Sequence, residues 1–222
     1  NRMMEEAEKL GEEFKTSYKK FLEENKKKLI SKKSFISNTF NKESKFWQEI
    51  NKITDNISHI DLYGGEPFLI DKQWRMLQDL VDNSKAHNIS LSFNTNGTYW
   101  NKDIINLLKN FAQVSIDFSI DGIGKHFEYI RHPADWAVVH KNFTSACNLQ
   151  ELNPNFKITI CYTVSTLNVF YFAEAIEYLK ECTDNIFVNF VHDPPYYAIT
   201  NIPPKIKNEI KNLKENGEII II

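Results

Sequence analysis

The chain has 222 residues, and its 27 Lys plus Arg nearly balance its 29 Asp plus Glu, so the formal net charge at pH 7 is −2. Apolar residues make up 42% and charged residues 25%, which is typical of one ordinary globular domain and excludes collagen-like or intrinsically disordered chains. The balanced charge gives no electrostatic reason to expect nucleic acid or an anionic membrane as a partner.

The sequence has 3 cysteines, which are odd in number and widely spaced. This usage argues against a disulfide framework and against a CxxC metal knuckle. No apolar run approaches the roughly 18 residues that a membrane span requires, and no signal peptide precedes the first predicted helix. We therefore predict a soluble protein of a reducing cytoplasm. The three residues are Cys147, Cys161 and Cys182.

Residues 1–56 are predicted to be a helical segment. Residues 5–28 combine Glu, Lys, Leu and Phe with apolar residues at helical spacing, which indicates an amphipathic helix. A second short helix is expected around residues 46–53. We predict that a separate core begins at residue 57 and extends to residue 222.

From residue 57 onward, strand patterns alternate with helix patterns. Such alternation predicts parallel strands joined by right-handed crossovers, and therefore an α/β sheet or barrel. The chemistry of these folds collects at the carboxyl ends of the strands. The predicted strands cover residues 57–63, 89–93, 114–120, 156–164 and 186–191, and the predicted helices cover residues 71–86, 102–111, 136–149, 170–182 and 203–216.

The first strand end carries two glycines, a glutamate and a proline. Paired glycines allow a sharp turn that brings bare backbone close to a ligand, and the glutamate offers a carboxylate to a cationic or zwitterionic group. A merely structural turn would also explain the two glycines. The motif is Gly64-Gly65-Glu66-Pro67.

Polar residues also follow the second and third strands. Asn94 and Asn96 lie in an Asn-Gly turn, which is either a simple turn or a source of hydrogen bonds to a ligand. Ser119 and Asp121 are predicted to face the same side. Arg131 is suited to pair with a carboxylate or phosphate of a ligand, and a surface salt bridge would also explain it. His192 is expected not to be catalytic, and the histidine spacings do not indicate a zinc hydrolase.

Three motifs on successive strands together resemble the radical S-adenosylmethionine (SAM) enzymes. Residues 119–136 and 190–194 resemble more closely the twitch-domain-containing branch, and the resemblance covers roughly residues 46–210. It implies a partial (β/α)6 TIM-like barrel of parallel strands with outer helices, lacking its first strand. The motifs are Gly64-Gly65-Glu66-Pro67, Asn94-Thr95-Asn96-Gly97 and Ser119-Ile120-Asp121-Gly122.

The resemblance also implies an oxidoreductase that uses SAM beside a [4Fe-4S] cluster. The 5′-deoxyadenosyl radical would take a hydrogen atom from a peptide or small-molecule substrate, and a flavodoxin or ferredoxin would supply electrons. Gly64, Gly65, Glu66 and Pro67 would hold the methionine amino group. Ser119 and Asp121 would approach the ribose and methionyl end, and Arg131 would approach the carboxylate. The remaining implied contacts are Asn94 and Asn96 at the barrel mouth, and Val164 and Asn189 beside the adenine.

The sequence departs from the family at the cluster. The Cys-xxx-Cys-xx-Cys loop is absent, and the three cysteines are too far apart in sequence to replace it. We therefore expect a truncated chain with its cluster ligands upstream of Asn1, and we predict no catalytic or metal-ligating residue in these residues. Two alternatives stay open: a cluster-free barrel hydrolase that uses Glu66 and Asp121, and a non-catalytic SAM-binding scaffold.

Overall fold

A computed structural model describes residues 54–208 of the chain. The helices predicted over residues 5–28 and 46–53 lie outside the described residues, as does the end of the helix predicted over 203–216, of which residues 204–208 are helical. Among the described helices, none is both long and apolar enough to cross a membrane.

Five strands form one parallel sheet, and five α-helices lie between them in the chain. The strands are β1 (His59–Leu62), β2 (Ser90–Thr95), β3 (Gln113–Ser119), β4 (Phe156–Val164) and β5 (Ile186–Phe190). The helices are α1 (Asp71–Asp82), α2 (Lys102–Leu108), α3 (Gly124–Ile130), α4 (Trp136–Leu152) and α5 (Phe172–Lys180), and short 3-10 turns lie at Thr54–Asn56, Pro67–Leu69, Ala86–Asn88, Val169–Tyr171, Pro195–Tyr197 and Ile199–Asn201.

The predicted alternation of strands and helices is confirmed. The strand predicted at residues 156–164 matches β4 at both ends, and the other strands differ by one or two residues at their ends. Helix α3 was not predicted. Its seven residues lie between Gly122 and the cap residue Arg131, where no apolar stripe is long enough to indicate a helix.

The strands lie in the order β1-β2-β3-β4-β5, the same as their order in the chain. Because every right-handed crossover then advances in the same direction, the helices all lie on one side of the sheet. A doubly wound sheet reverses its strand order and carries helices on both sides. The sequential order is that of a TIM-like barrel wall, in agreement with the predicted fold class.

The strand register separates the sheet into an apolar and a polar face. On the apolar side, Leu62, Phe93, Ile116 and Ile158 are aligned across four strands and all are buried. The other side, called the polar face below, carries the alternate strand residues. Its members are His59, Asp61, Ser90, Ser92, Asn94, Gln113, Ser115, Asp117, Ser119, Lys157, Thr159, Cys161, Thr163, Phe187 and Asn189.

An aromatic cluster under the helices positions the loop that follows β1. The ring of Phe68 lies 5.5 Å from that of Trp74, 5.7 Å from that of Trp100 and 6.0 Å from that of Phe93, measured between centroids. Phe68 is only 2% exposed. Burial of such a side chain is worth about 1.5–3 kcal/mol, so this cluster anchors the Gly-Gly-Glu-Pro loop to the core.

Candidate functional site

The loop after β1 requires glycine for its backbone conformation. Gly64 and Gly65 have φ angles of 92° and 60°, a region that residues with a Cβ rarely adopt. A Cβ at Gly64 would meet nothing within 4 Å, so packing does not impose the residue. Both glycines are exposed, and the turn leaves their backbone accessible at the carboxyl end of β1.

Glu66 joins this loop to the end of β2. One carboxylate oxygen accepts hydrogen bonds from Thr95 Oγ1 at 2.7 Å and from the backbone N–H of Phe68 at 3.4 Å. The other accepts from the backbone N–H of Asn96 at 2.8 Å. Two strand ends are thereby fixed around one half-buried carboxylate, whose remaining lone pairs can accept from a ligand.

The two asparagines after β2 have different roles. Asn96 Oδ1 accepts from the backbone N–H of Thr98 at 2.9 Å and from its hydroxyl at 2.6 Å, so this side chain stabilises the turn. Asn94 lies on the polar face, level with Asp117 of β3. The side-chain oxygen of Asn96 therefore stabilises a turn, as one of the two interpretations predicts. Of the two asparagines, Asn94 is the one whose side chain belongs to the polar face.

Asp121 and Arg131 form an ion pair with each other. The salt bridge left open for Arg131 is therefore present, with Asp121 as its partner. Arg131 Nε donates to Asp121 Oδ2 at 2.6 Å, and Nη2 lies 2.5 Å from the same oxygen. Asp121 Oδ1 accepts from the backbone N–H of Thr163 at 2.8 Å. The side chain of Asp121 is 8% exposed, whereas that of Arg131 is 30% exposed. The pair therefore presents its positive partner outward.

Ser119, Val164 and Asn189 occupy three different settings. Ser119 ends β3 on the polar face and is half-buried. The side chain of Val164 is buried at 2% exposure, so only its backbone lies at the strand end. Asn189 is exposed on β5, and its Oδ1 accepts from the N–H of Phe190 at 2.8 Å.

Asp117 lies on the polar face, below the strand ends, where partial burial disfavours its charged form. Burial raises the pKa of Asp117, although the hydroxyl of Thr159 and the charge of Lys157 act in the opposite direction. Burial also raises the pKa of Cys161 to about 11. A thiol with this pKa stays protonated at neutral pH.

Two of the three cysteines, Cys147 and Cys182, lie close together, and the third lies on another face of the fold. Cys147 is buried on α4 among the helices, Cys161 lies on the polar face, and Cys182 follows α5. Burial, followed by the proximity of Cys182, raises the pKa of Cys147 to about 12. No group of three or more His, Cys, Asp or Glu side chains within residues 54–208 could hold a metal ion.

No family model matches the chain. The S-adenosylmethionine-dependent nucleotide dehydratase of Psychrobacter lutiphocae is 34% identical over 113 residues, which are 49% of this chain and 36% of that relative. The chain thus spans little more than a third of its curated relative.

Two solved structures of the radical SAM enzyme anSMEcpe are similar to this chain in fold. The histidine-tagged protein with bound AdoMet aligns at a TM-score of 0.52 and 17% identity, over 78% of this chain and 50% of that one. The native protein with bound AdoMet and the Cp18Cys peptide aligns at a TM-score of 0.50 and 17% identity, over 78% and 53% of the two chains.

The chain has the fold of radical SAM enzymes. The predicted resemblance to the radical SAM enzymes and the predicted α/β fold class of parallel strands are thereby confirmed. The radical SAM fold places the carboxyl ends of β1 to β4 side by side, and these ends carry the glycine loop, Glu66, Asn96, Ser119 and the Asp121–Arg131 pair.

Two polar residues of this radical SAM fold were not found from the sequence. Thr95 is 2% exposed and holds Glu66 in place. Asn168 is 1% exposed, and its Nδ2 donates to the carbonyls of Asp121 and Thr163, both at 2.9 Å. Asn168 Oδ1 accepts from the backbone N–H of Ser165 at 2.7 Å. The sequence Ser165-Thr166-Leu167-Asn168 directly after β4 could have indicated Asn168, because polar residues also follow the other strands of the site.

Proposed function

We propose that this chain is the SAM-binding core of a radical SAM enzyme. The observation that supports the proposal best is the presence of two opposite charges, each held in place, after the strands β1 and β3: the carboxylate of Glu66 and the guanidinium of Arg131. A zwitterionic amino acid group needs an acceptor for its ammonium and a cation for its carboxylate. The curated relative is named as SAM-dependent, and AdoMet is bound in the solved structures.

The donors and acceptors present fit this cofactor. Glu66 and the exposed backbone of Gly64 and Gly65 would hold the methionine ammonium. Arg131 and the hydroxyl of Ser119 would hold the methionine carboxylate, and the backbone beside Val164 would border the adenine. Asn94 would line the mouth, and Asn189 would reach the cofactor from β5.

We also propose that the cofactor is used beside a [4Fe-4S] cluster whose ligands lie outside this sequence, because Cys161 lies on the polar face, apart from Cys147 and Cys182 on the helical side, and no group of three or more His, Cys, Asp or Glu side chains within residues 54–208 could hold a metal ion. SAM bound to such a reduced cluster supplies a 5′-deoxyadenosyl radical that takes a hydrogen atom from the substrate. The chain itself would orient SAM and keep water from the reacting atoms.

The polar face below the strand ends would contact the substrate. Its Asn94, Asp117 and Thr159 lie level with one another on three neighbouring strands. The solved structures that contain the Cp18Cys and Kp18Cys peptides support a peptide substrate. A flavodoxin or ferredoxin would deliver the electron.

A cluster-free hydrolase has less support in the geometry. General acid-base catalysis needs carboxyl groups that can reach a substrate. Asp121 is 6% exposed and accepts from a guanidinium and a backbone N–H, and Glu66 accepts from three donors. Asp121 is therefore engaged within the protein, and Glu66 alone does not supply the pair of carboxyl groups that such a hydrolase needs.

Anaerobic reconstitution of the full-length protein that contains this sequence tests the proposal. With iron, sulfide and dithionite, it should form 5′-deoxyadenosine from SAM, whereas the 222-residue chain treated identically should form none. Substitution of Arg131 by Gln should raise the apparent dissociation constant for SAM at least tenfold, since a charge-assisted hydrogen bond contributes about 1.5–3 kcal/mol to binding. A full-length protein that binds an iron-sulfur cluster but neither binds nor cleaves SAM would contradict the proposal.

A further inference from the structure

The carboxylate of Asp121 is already occupied within the protein. Oδ2 accepts from Nε of Arg131 at 2.6 Å and lies 2.5 Å from its Nη2, and Oδ1 accepts from the N–H of Thr163 at 2.8 Å. Its side chain is 8% exposed. A carboxylate that binds the two hydroxyls of a ribose must direct its oxygens toward the ligand, and this one directs them toward the protein.

The backbone of Asp121 is fixed as well. Its carbonyl accepts from Asn168 Nδ2 at 2.9 Å. A Cβ on the following Gly122 would lie 3.3 Å from the backbone nitrogen of Phe127, so helix α3 begins close against this point. Asp121 therefore has little freedom to turn toward a bound molecule.

Arg131 is held at both of its ends. Its backbone N–H donates to the carbonyl of Phe127 at 2.8 Å as the cap of α3, and its guanidinium is held by Asp121. A guanidinium has five N–H donors in a planar fork. Among residues 54–208, Asp121 is the partner found for this fork, and it engages Nε and Nη2. No partner within residues 54–208 is found for its Nη1 donors, and the side chain is 30% exposed.

We infer that Asp121 is a positioning residue, which fixes the guanidinium of Arg131 so that its outer N–H donors meet the carboxylate of SAM, and does not itself bind the ribose. This inference rests on the proposed SAM-binding function. It assigns Asp121 to the recognition of the methionyl carboxylate through Arg131, and it separates the aspartate from the nucleoside half of the cofactor.

Two ligands that differ only at the carboxylate test the inference. SAM and decarboxylated SAM share the sulfonium and the whole nucleoside, and their binding to the full-length protein can be measured by anaerobic equilibrium dialysis. In the Asp121→Asn variant, the side-chain oxygen can still accept from the backbone N–H of Thr163. The new NH2 group then faces the N–H donors of Arg131, and this repulsion displaces the guanidinium. We expect the affinity for SAM to fall about tenfold and that for decarboxylated SAM to change less than twofold.

The matched control is Asp184→Asn, since Asp184 is exposed and precedes β5 at the opposite end of the sheet; both affinities should stay unchanged. Equal losses for the two ligands in Asp121→Asn would overturn the inference, because they would mean a contact with the shared nucleoside or a general loss of the site. A wild-type protein that binds neither ligand would instead refute the proposed function on which the inference rests.

Two further variants keep the test decisive if Asp121→Asn does not fold. Asp121→Glu retains the buried negative charge while it moves the guanidinium, so it should show the same selective loss of SAM. Arg131→Gln should also weaken SAM about tenfold and spare decarboxylated SAM. With Asp121→Glu added to Arg131→Gln, no further loss of SAM affinity is expected. An additional loss in the double variant would show that Asp121 acts independently of Arg131.

Discussion

Gly97 and Gly124 share a left-handed backbone but differ in the space around them. Their φ angles are 74° and 53°; a Cβ at Gly97 would lie 3.0 Å from Val139 Cγ1 and 3.1 Å from Phe118 Cδ1, whereas one at Gly124 would meet nothing within 4 Å. Gly97→Ala should therefore lower the free energy of unfolding by about 1–2 kcal/mol more than Gly124→Ala does. Urea denaturation of both variants measures the difference, and equal losses would contradict the packing argument.

Glu66 combines a structural role with a proposed ligand contact. In Glu66→Gln, the loss of the negative charge should weaken SAM binding at least tenfold, and the poorer acceptor for the N–H of Asn96 should cost about 1 kcal/mol of stability. Dialysis and urea denaturation measure the two effects. Glu177→Gln on the exposed side of α5 is the matched control and should change neither quantity. Unaltered SAM binding in Glu66→Gln would remove this residue from the site.

The sequence predicted which polar residues lie at the site, but it did not predict which of them contact one another. Alternation along β3 indicated Ser119 and Asp121 as neighbours of a ligand, but it carried no information on the contact between Asp121 and Arg131. That contact depends on α3, a seven-residue helix that returns the chain to the strand end. Pairing between distant residues depends on tertiary geometry, which local patterns do not encode.

Asn168 links two elements, since its amide joins the end of β3 to the end of β4. Asn168→Ala would leave the carbonyls of Asp121 and Thr163 and the N–H of Ser165 without this partner. We expect a loss of about 2–4 kcal/mol in the free energy of unfolding. Asn148→Ala, at an exposed position of α4, should cost less than about 0.5 kcal/mol. Similar losses in the two variants would contradict the proposed link.

Asp117 should make the stability of the sheet depend on pH in the direction opposite to that of most aspartates. Its pKa is raised by burial, so the folded state binds its proton more tightly than the unfolded state, and stability is lost as the pH rises through the folded pKa. Asp117→Asn should therefore raise the melting temperature at pH 7, and the gain should vanish below the pKa of the unfolded chain. Thermal melts at several pH values measure this, and a gain that grows at low pH would contradict the sign.

The accuracy of the predicted elements followed the length of their patterns. Apolar and polar residues alternate through all nine residues of β4, and its predicted ends match the structure. The strand predicted at residues 57–63 is shorter in the structure, His59–Leu62, because β1 is an edge strand among the described residues and has pairing partners on one side only. Edge pairing is a property of the sheet and is invisible in the strand itself.

Over the whole described fold, strand position should determine how fast backbone amides exchange. Strand β3 pairs on both sides, while β1 and β5 each have one partner strand within residues 54–208. Hydrogen exchange followed by mass spectrometry should therefore show the slowest exchange in β3 and the fastest among the strands in β1 and β5. Protection of β5 equal to that of β3 would contradict this ranking and indicate that other residues cover its outer edge.

The pattern of strands and helices predicted parallel strands, but it did not distinguish an open sheet from a barrel. Alternating strands and helices are common to doubly wound sheets and barrels, and the resemblance favoured the barrel. The sequential strand order decides for a barrel-like wall. The predicted boundary between residues 56 and 57, the twitch-domain relation and the truncation before a cluster loop stay predictions.

The two faces of the sheet have different roles. Side chains that stabilise the fold point toward the helices, and side chains available for chemistry point the other way, often one residue apart on the same strand. Evolution can therefore exchange polar-face residues such as Asn94, Ser115 and Thr159 without first repacking the hydrophobic core. A scaffold of this kind can acquire new substrates through single substitutions, and the same freedom is open to protein engineering.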